Sequence, residues 1–344
     1  MRKILVLLIL AAWQSVSYAQ TGGNTVFSLL DLTYNARSAG LGNDFISVKD
    51  QDINLGVSNP SLLNDKMHSG IGFNQAILAG GINYGMFSYG HNLWSGTVSG
   101  HIRYVNYGEF RRTDINGNDL GSFRLFESII GMGYGRQLNP RISVGANLNV
   151  IFSQLEGYNS FGVSTDLAGT YTNANGDLLI TALFKNAGIQ LDSYADEDRR
   201  PLPAELQMAV SYKLPHAPFR FTLLAHHLNK WDITYFDPEL KPTLDPLTGD
   251  TIPVPVAGFG EKLARHFTGQ VEVLASKNIH LRAGFDYHRR QEMKLESRPG
   301  IAGFSFGLGL YFKRFSVDYG FSVYSRAGFN NMLTITSHLN NWRK

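Results

Sequence analysis

The chain contains no cysteine, so it can form no disulfide and lacks the lipidated N-terminal cysteine of a bacterial lipoprotein. It is also poor in charge: Asp, Glu, Lys and Arg make up 17% of its 344 residues, against roughly 25% in ordinary soluble domains. A charged, water-facing skin is not what this composition builds. No basic run is present, which removes the usual electrostatic footprint of a nucleic-acid partner. Beyond its start, the chain has no apolar stretch approaching the roughly 20 residues of a membrane helix. Glycine, with 36 residues, and aromatic side chains, at 12%, are abundant instead.

The single apolar run opens the chain. In MRKILVLLILAAWQSVSYAQ, two cations precede Ile4 to Trp13, and Ser17-Tyr18-Ala19 offers small residues at the two positions that a signal peptidase reads. Residues 1–19 are therefore expected to be a secretory signal peptide, with Gln20 as the mature terminus. Losing Arg2 and Lys3 with it lowers the formal charge from +3 to +1.

The remaining sequence alternates. In RFSVDYGFSVYS, Phe315, Val317, Tyr319, Phe321 and Val323 share one parity, and Ser316, Asp318, Gly320 and Ser322 the other. Successive side chains of an extended strand point to opposite faces, so such a stretch has one greasy side and one small, polar side. The pattern recurs through 126–135, 142–153, 161–171, 205–214, 279–290 and 302–312. It gives fourteen predicted strands: 67–78, 80–92, 94–112, 121–138, 141–156, 160–172, 177–187, 204–214, 219–235, 265–276, 278–292, 300–312, 315–326 and 329–339. No comparable helical period follows residue 66. The connections alternate too. Leu93, Asn139-Pro140, Lys277 and Lys313-Arg314 are minimal, whereas Thr113 to Leu120, Gly188 to Pro203 and Phe236 to Ala264 are long.

Short turns on one rim and long loops on the other predict an all-β membrane protein: a 14-stranded antiparallel transmembrane β-barrel of the outer membrane, its short turns in the periplasm. A ring that wide cannot be filled by Gly, Ser and Ala, so the apolar parity faces lipid. Asp166, Glu205, Arg220, Glu272, Arg282, Asp286 and Asp318 then face the lumen. Trp94, Trp231 and Trp342 fall at strand ends, where an aromatic girdle sits. Residues 20–66 are of a different character. Val26, Leu29 and Leu30 have the spacing of a short amphipathic helix, and Asn59-Pro60-Ser61 gives an N-cap with proline at the first helical position. This segment is expected to be a lumenal plug containing short helices, preceding a barrel over 67–344.

Within residues 22–64, Gly22-Gly23-Asn24-Thr25-Val26-Phe27, then Ala36-Arg37-Ser38-Ala39-Gly40-Leu41-Gly42, the Asp50 to Asp52 region and Asn59-Pro60 resemble the start of FadL-superfamily barrels. Within that superfamily, the length and strand layout are most similar to the PorQ-like barrels of the type IX secretion system of Bacteroidota. The resemblance implies a non-enzymatic membrane anchor and docking site in the machinery that attaches exported proteins to surface lipopolysaccharide. Its implied partners are outer-membrane lipid, lipopolysaccharide and PorZ-like, PorU-like and PorV-like proteins. The proline-bearing loop from Phe236 to Ala264 and the charged stretch SYADEDRR (193–200) suit such contacts. The alternative is a FadL-like channel for hydrophobic small molecules. That needs a kinked strand and an apolar pocket in the lumen, for which the sequence offers only glycines such as Gly80-Gly81.

No catalytic, cofactor-binding or metal residue is assigned. Gly303-Phe304-Ser305-Phe306-Gly307 matches a nucleophile-elbow pattern but lies within a strand rather than at a strand-to-helix turn. Asp114 to Asp119 begins like a calcium loop yet lacks the distal glutamate, and its Asn-Gly step suits a hairpin. His280 and His288 are too far apart along their strand to share a metal, and adjacent His226 and His227 are expected to face opposite sides.

Overall fold

The computed structural model describes residues 25–78, 81–195, 199–235, 242–244, 248–252, 254, 256–294, 300–325 and 328–342. The signal peptide, Gly22 to Asn24, Gly80, the tip of SYADEDRR and Pro238, Pro246, Pro253 and Pro255 lie outside the described residues.

The alternating segments form strands β1 (Gly70–Ile77), β2 (Asn83–Leu93), β3 (Gly96–Thr113), β4 (Asp119–Asn139), β5 (Ile142–Leu155), β6 (Tyr158–Thr172), β7 (Leu178–Asp192), β8 (Glu205–Lys213) and β9 (Phe219–Ala225). After the two-residue strands β10 (Thr243–Leu244) and β11 (Thr251–Ile252), which pair with each other in a loop, come β12 (Phe267–Val273), β13 (Ile279–Asp286), β14 (Phe304–Tyr311), β15 (Phe315–Ser325) and β16 (Gly328–His338). Fourteen of them close an antiparallel barrel, β9 pairing with β12 and β16 returning to β1 in register Gly70↔His338 through Ile77↔Asn331. Among the described residues no helix is long and apolar enough to cross a membrane. The crossing elements are strands.

The short turns are closed by their own side chains. Asn139 Oδ1 accepts from the backbone N–H groups of Arg141 and Ile142, and Asn173 Oδ1 does the same for Asp177 and Leu178. Outward positions carry exposed Phe73, Phe87, Ile130, Leu148, Phe221 and Ile335, while inward positions such as Ser88, Asn147, Thr222 and Thr334 are buried. In water this outer surface would be strongly unfavourable, and in lipid it is not.

Residues 25–69 cross the interior. They form a 3-10 turn (Ser28–Asp31), α1 (Ala36–Gly40), α2 (Ile53–Ser58) and 3-10 turns at Pro60–Leu62 and Asp65–Met67. Each of the last four begins on a side-chain cap: Asn35, Asp52, Asn59 and Asn64 accept from a backbone N–H two or three residues on. Ala36, Leu41, Leu55 and Leu62 are wholly buried, and the segment touches wall strands on every side. The inward glycines explain how it fits. A Cβ on Gly284 would collide with the Leu41 carbonyl, and one on Gly320 with the Ala36 carbonyl, so the wall is thinned where the hatch lies against it.

The structure differs from the sequence reading in several places, among them β7, which runs on to Asp192 into the expected Gly188 to Pro203 loop. β9 ends at Ala225 rather than running to 235, because its partner β12 begins only at Phe267, opposite Ala225, and the left-handed backbone of His227 breaks the extended chain just beyond. Trp231 therefore lies in the following loop, its ring tilted against Phe259 with centroids 5.1 Å apart, and not at a strand end. β13 ends at Asp286, whose carboxylate accepts from Arg289 N–H and starts helix α4 (Tyr287–Met293); with α3 (Phe259–Ala264) this places helices after residue 66. His227 has φ 55°, a left-handed backbone that breaks the strand's alternation, so His226 and His227 meet instead of diverging. In β15 a register shift between Val323 and Ser325 ends the alternation, and Val323 is buried.

Candidate functional site: the lumenal hatch and the cavity above it

The charged residues placed in the lumen by their parity meet the hatch in one network. Arg37, on α1 and 3% exposed, donates from Nε and Nη2 to the two carboxylate oxygens of Glu272 on β12, at 2.8 and 3.0 Å, and from Nη1 to Asp50 at 2.6 Å. Glu272 also receives Arg220 of β9 at 2.6 Å and Arg282 of β13 at 3.0 Å. Arg282 continues to Asp318 at 2.5 Å and to the Tyr311 hydroxyl at 2.7 Å. Arg37 also lies over the Phe45 ring, 5.0 Å from its centroid. Three guanidiniums thus surround three carboxylates where water is scarce, so each charge depends on the others. Asp52, the cap of α2, is pushed up to about 6 by burial and by neighbouring Asp50. Asp50 is held below the usual carboxylate range by Arg37, against the opposing effect of its own burial.

Further ties secure the hatch around the ring. Lys185 of β7 reaches Asp44 at 2.6 Å and Glu205 at 3.1 Å. Asn54 accepts from Asn74 at 2.8 Å and from Ser88 at 2.9 Å, and donates to Thr336 at 3.2 Å. Asn147 donates to the Val57 carbonyl at 2.8 Å and to Asp166 at 3.1 Å. A cavity of about 380 Å³ at the short-turn rim opens onto Arg37, Asp52, Tyr311 and Asp318, among the cations Lys277, Lys313 and Arg314.

The opposite side of the lumen carries an apolar cluster, with the Arg103 guanidinium 5.4 Å from the Tyr34 ring centroid at its edge. Leu29, Leu30 and Tyr34 of the hatch pack with Tyr84, Met86, Val105, Ile129, Ile151 and Met332 of the wall. Tyr34 meets Tyr84 edge-on with centroids 5.5 Å apart. Above this cluster, toward the long-loop rim, lies a cavity of about 470 Å³ bordered by Val26, Phe27, Tyr107, Leu125, Leu155 and Tyr194, with Glu127 and Arg200. Below it a small space of about 30 Å³ touches Leu30, Tyr34, Met86, Lys185 and Asn186. The wall is irregular at both levels. β3 shifts register between Asn106 and Glu109, at Gly108 with φ 90°, and the β6–β7 ladder shifts between Thr165 and Leu167, opposite Asn186 with φ 59°. An apolar lumenal face and kinked strands are the two features that the sequence reading could not find. A signal existed: Val105, Ile129 and Ile151 are apolar residues on the mainly polar parity of three successive strands, with Leu125 and Leu155 on the same parity nearer the long-loop rim.

The other motifs are resolved. Ser305 lies inside β14 with its hydroxyl buried and without a hydrogen-bond partner among the described residues, so the pattern around it forms no elbow. Asp114 to Asn118 is a turn in which Asp114 accepts from Asn116 and Asn118 N–H groups around Gly117. His280 packs on Tyr311 beside the short-turn cavity, whereas His288 is on α4 near His226 and His227. Burial pushes His227 down to about 4 and also lowers His226 and His288.

A closed fourteen-stranded antiparallel barrel with an apolar outer belt, a polar lumen and an internal hatch is an outer-membrane β-barrel, with its short turns periplasmic. Its fold is shared with solved outer-membrane barrels that carry hydrocarbons. The toluene transporter TbuX of Ralstonia pickettii superposes with a TM-score of 0.53 at 11% identity, covering 91% of this chain and 100% of that one. The Pseudomonas putida toluene transporter TodX gives 0.52 at 14% identity over 91% and 98% of the two chains, and a deltaS2 mutant of the TodX monoaromatic hydrocarbon channel gives 0.55 at 13% over 91% and 100%. At these identities the likeness is one of fold. No family model matches the chain, and no curated protein matches it.

Proposed function

We propose that the barrel takes up small hydrophobic molecules, admitting them from the extracellular cavity and passing them along the apolar side of the hatch. The observation that carries this reading is the apolar face of Tyr84, Met86, Val105, Ile129 and Ile151, which joins the 470 Å³ cavity to the smaller space beside the Asn186 irregularity. The face packs against Leu29, Leu30 and Tyr34 of the hatch, and an apolar molecule suits the same surface. The hydrocarbon channels and toluene transporters that share the fold support the same class of cargo. The test is accumulation of radiolabelled toluene by cells that carry the barrel or lack it. Faster uptake with the barrel, abolished by Ile129→Glu in a variant that still folds, is the expected result. Equal uptake in both strains would refute it.

A second reading has its own support. The resemblance over residues 22–64 favours an anchor for the type IX attachment machinery, and the loop after β9 exposes Trp231, Tyr235, Val256 and Phe259. Such a patch suits a docking protein of the PorZ-like, PorU-like or PorV-like kind, beside lipopolysaccharide. Deleting the gene distinguishes the two readings. Loss of several surface-attached exported proteins with unchanged toluene uptake would favour the anchor.

A further inference from the structure

We propose that Glu205, His226 and His227 form a binding site for a divalent transition cation of the zinc class, at the root of the long extracellular loop. In an unbroken strand, consecutive histidines project to opposite faces. Here β9 stops at Ala225 and the left-handed backbone of His227 turns its ring to the same side as that of His226. Their Nδ1 atoms approach to 2.8 Å, and His227 Nδ1 lies 3.3 Å from Glu205 Oε1. One donor atom from each of the three residues lies within 4.8 Å of the others.

Two facing imidazole nitrogens at this distance share a single proton, and a cation about 2.0–2.1 Å from each nitrogen can replace it after a small widening of the gap. The backbone holds the donors in place. His226 N–H donates to the His266 carbonyl at 2.9 Å, His266 Nδ1 lies 2.8 Å from the His226 carbonyl, and His227 N–H donates to Glu205 at 3.1 Å. His266 is not itself a ligand, since both its nitrogens face carbonyl oxygens, those of His226 and Trp231. Lys185 occupies Glu205 Oε2 at 3.1 Å, and Gln207 donates to Oε1, which is the oxygen facing the rings.

A second, independent observation points to a ligand. His288 Nδ1 on α4 is buried without a hydrogen-bond partner among the described residues, and its ring centroid lies 6.2 and 6.3 Å from those of His226 and His227. His226 itself is 1% exposed, so an ion at its Nδ1 is shielded from water. A nitrogen donor that the protein leaves unsatisfied therefore lies beside the three proposed ligands. Imidazole nitrogens with one carboxylate select a borderline cation such as Zn²⁺ or Co²⁺ over Ca²⁺ or Mg²⁺. A bound ion would join β8, the end of β9 and α4, clamping the loop that rises between them.

The test uses mature protein without a polyhistidine tag, folded in detergent as judged by its heat-modifiable gel band. Titration with Co²⁺ should produce visible absorption of a low-symmetry, histidine-ligated ion that saturates at one equivalent, and Zn²⁺ should abolish it. His226→Gln and His227→Gln should each weaken Zn²⁺ binding by about tenfold or more. Should either variant fail to fold, the wild-type Co²⁺ spectrum decides alone. Absence of saturable absorption, or unchanged Zn²⁺ affinity in folded variants, would overturn the site and leave a proton-sharing histidine pair.

Discussion

The two sides of the lumen are built on opposite principles. Around β9, β12, β13 and β15, the hatch is held by Arg37, Arg220 and Arg282 against Glu272, Asp50 and Asp318. Around β2 to β5 it rests on Tyr84, Met86, Val105, Ile129 and Ile151, with no ion pair to the hatch there among the described residues, and the 470 Å³ cavity lies above this side. Charge pairs specify one position and penalise any departure from it, because separating them leaves buried charge. Apolar packing is less directional, so a molecule of similar character can replace part of it. One side pins the hatch by charge, and the other holds it by packing.

The comparison can be broken from either direction. The largest effect is expected from Glu272→Ala, which removes the shared acceptor of three arginines and should cost about 3–5 kcal/mol. A lower temperature of the gel shift and new ion conductance in planar bilayers would register it. Next comes Leu29→Ala on the apolar side, where Leu29 is wholly buried. Its expected cost is about 2–4 kcal/mol, with the gel shift lowered but conductance unchanged while the ionic side still holds the hatch. Gly284→Ala should cost about 1–3 kcal/mol by pressing a methyl group against the Leu41 carbonyl, and protease accessibility of the hatch should rise.

The smallest effect concerns pH. Asp52 is raised from 3.8 to about 6 in the folded protein, so the folded state binds its proton more tightly than the unfolded state does. The stabilisation from that proton is complete below the unfolded value and is lost as pH rises to about 6. Asp52→Asn keeps an N-cap and cannot ionise. It should flatten that part of the stability profile between pH 4 and 6 and leave the protein at least as stable at pH 7, as read from gel-shift temperatures across the range.

The barrel was legible because a two-residue period recurs through every strand and because long and short connections alternate, both of which survive without tertiary information. The lumenal charges were legible by parity. Their partners were not: Arg37 and Glu272 are 235 residues apart, and only closure of the ring brings them together. The apolar side was missed because Val105, Ile129 and Ile151 look like lapses in alternation when each strand is read alone. Registers Tyr84↔Val105 and Ile129↔Ile151 align them into one face. The meeting of His226 and His227 was illegible for a different reason, since one backbone dihedral at His227 reverses the expected geometry.

The most direct test of the division between the two sides is a crystal structure of the detergent-purified protein soaked with bromobenzene, located by the anomalous signal of bromine. The account expects density in the extracellular cavity and against Leu30, Tyr34 and Met86, with the arginine network undisturbed. Density confined to the outer belt, or displacement of Arg37 from Glu272 with the apolar side empty, would contradict it.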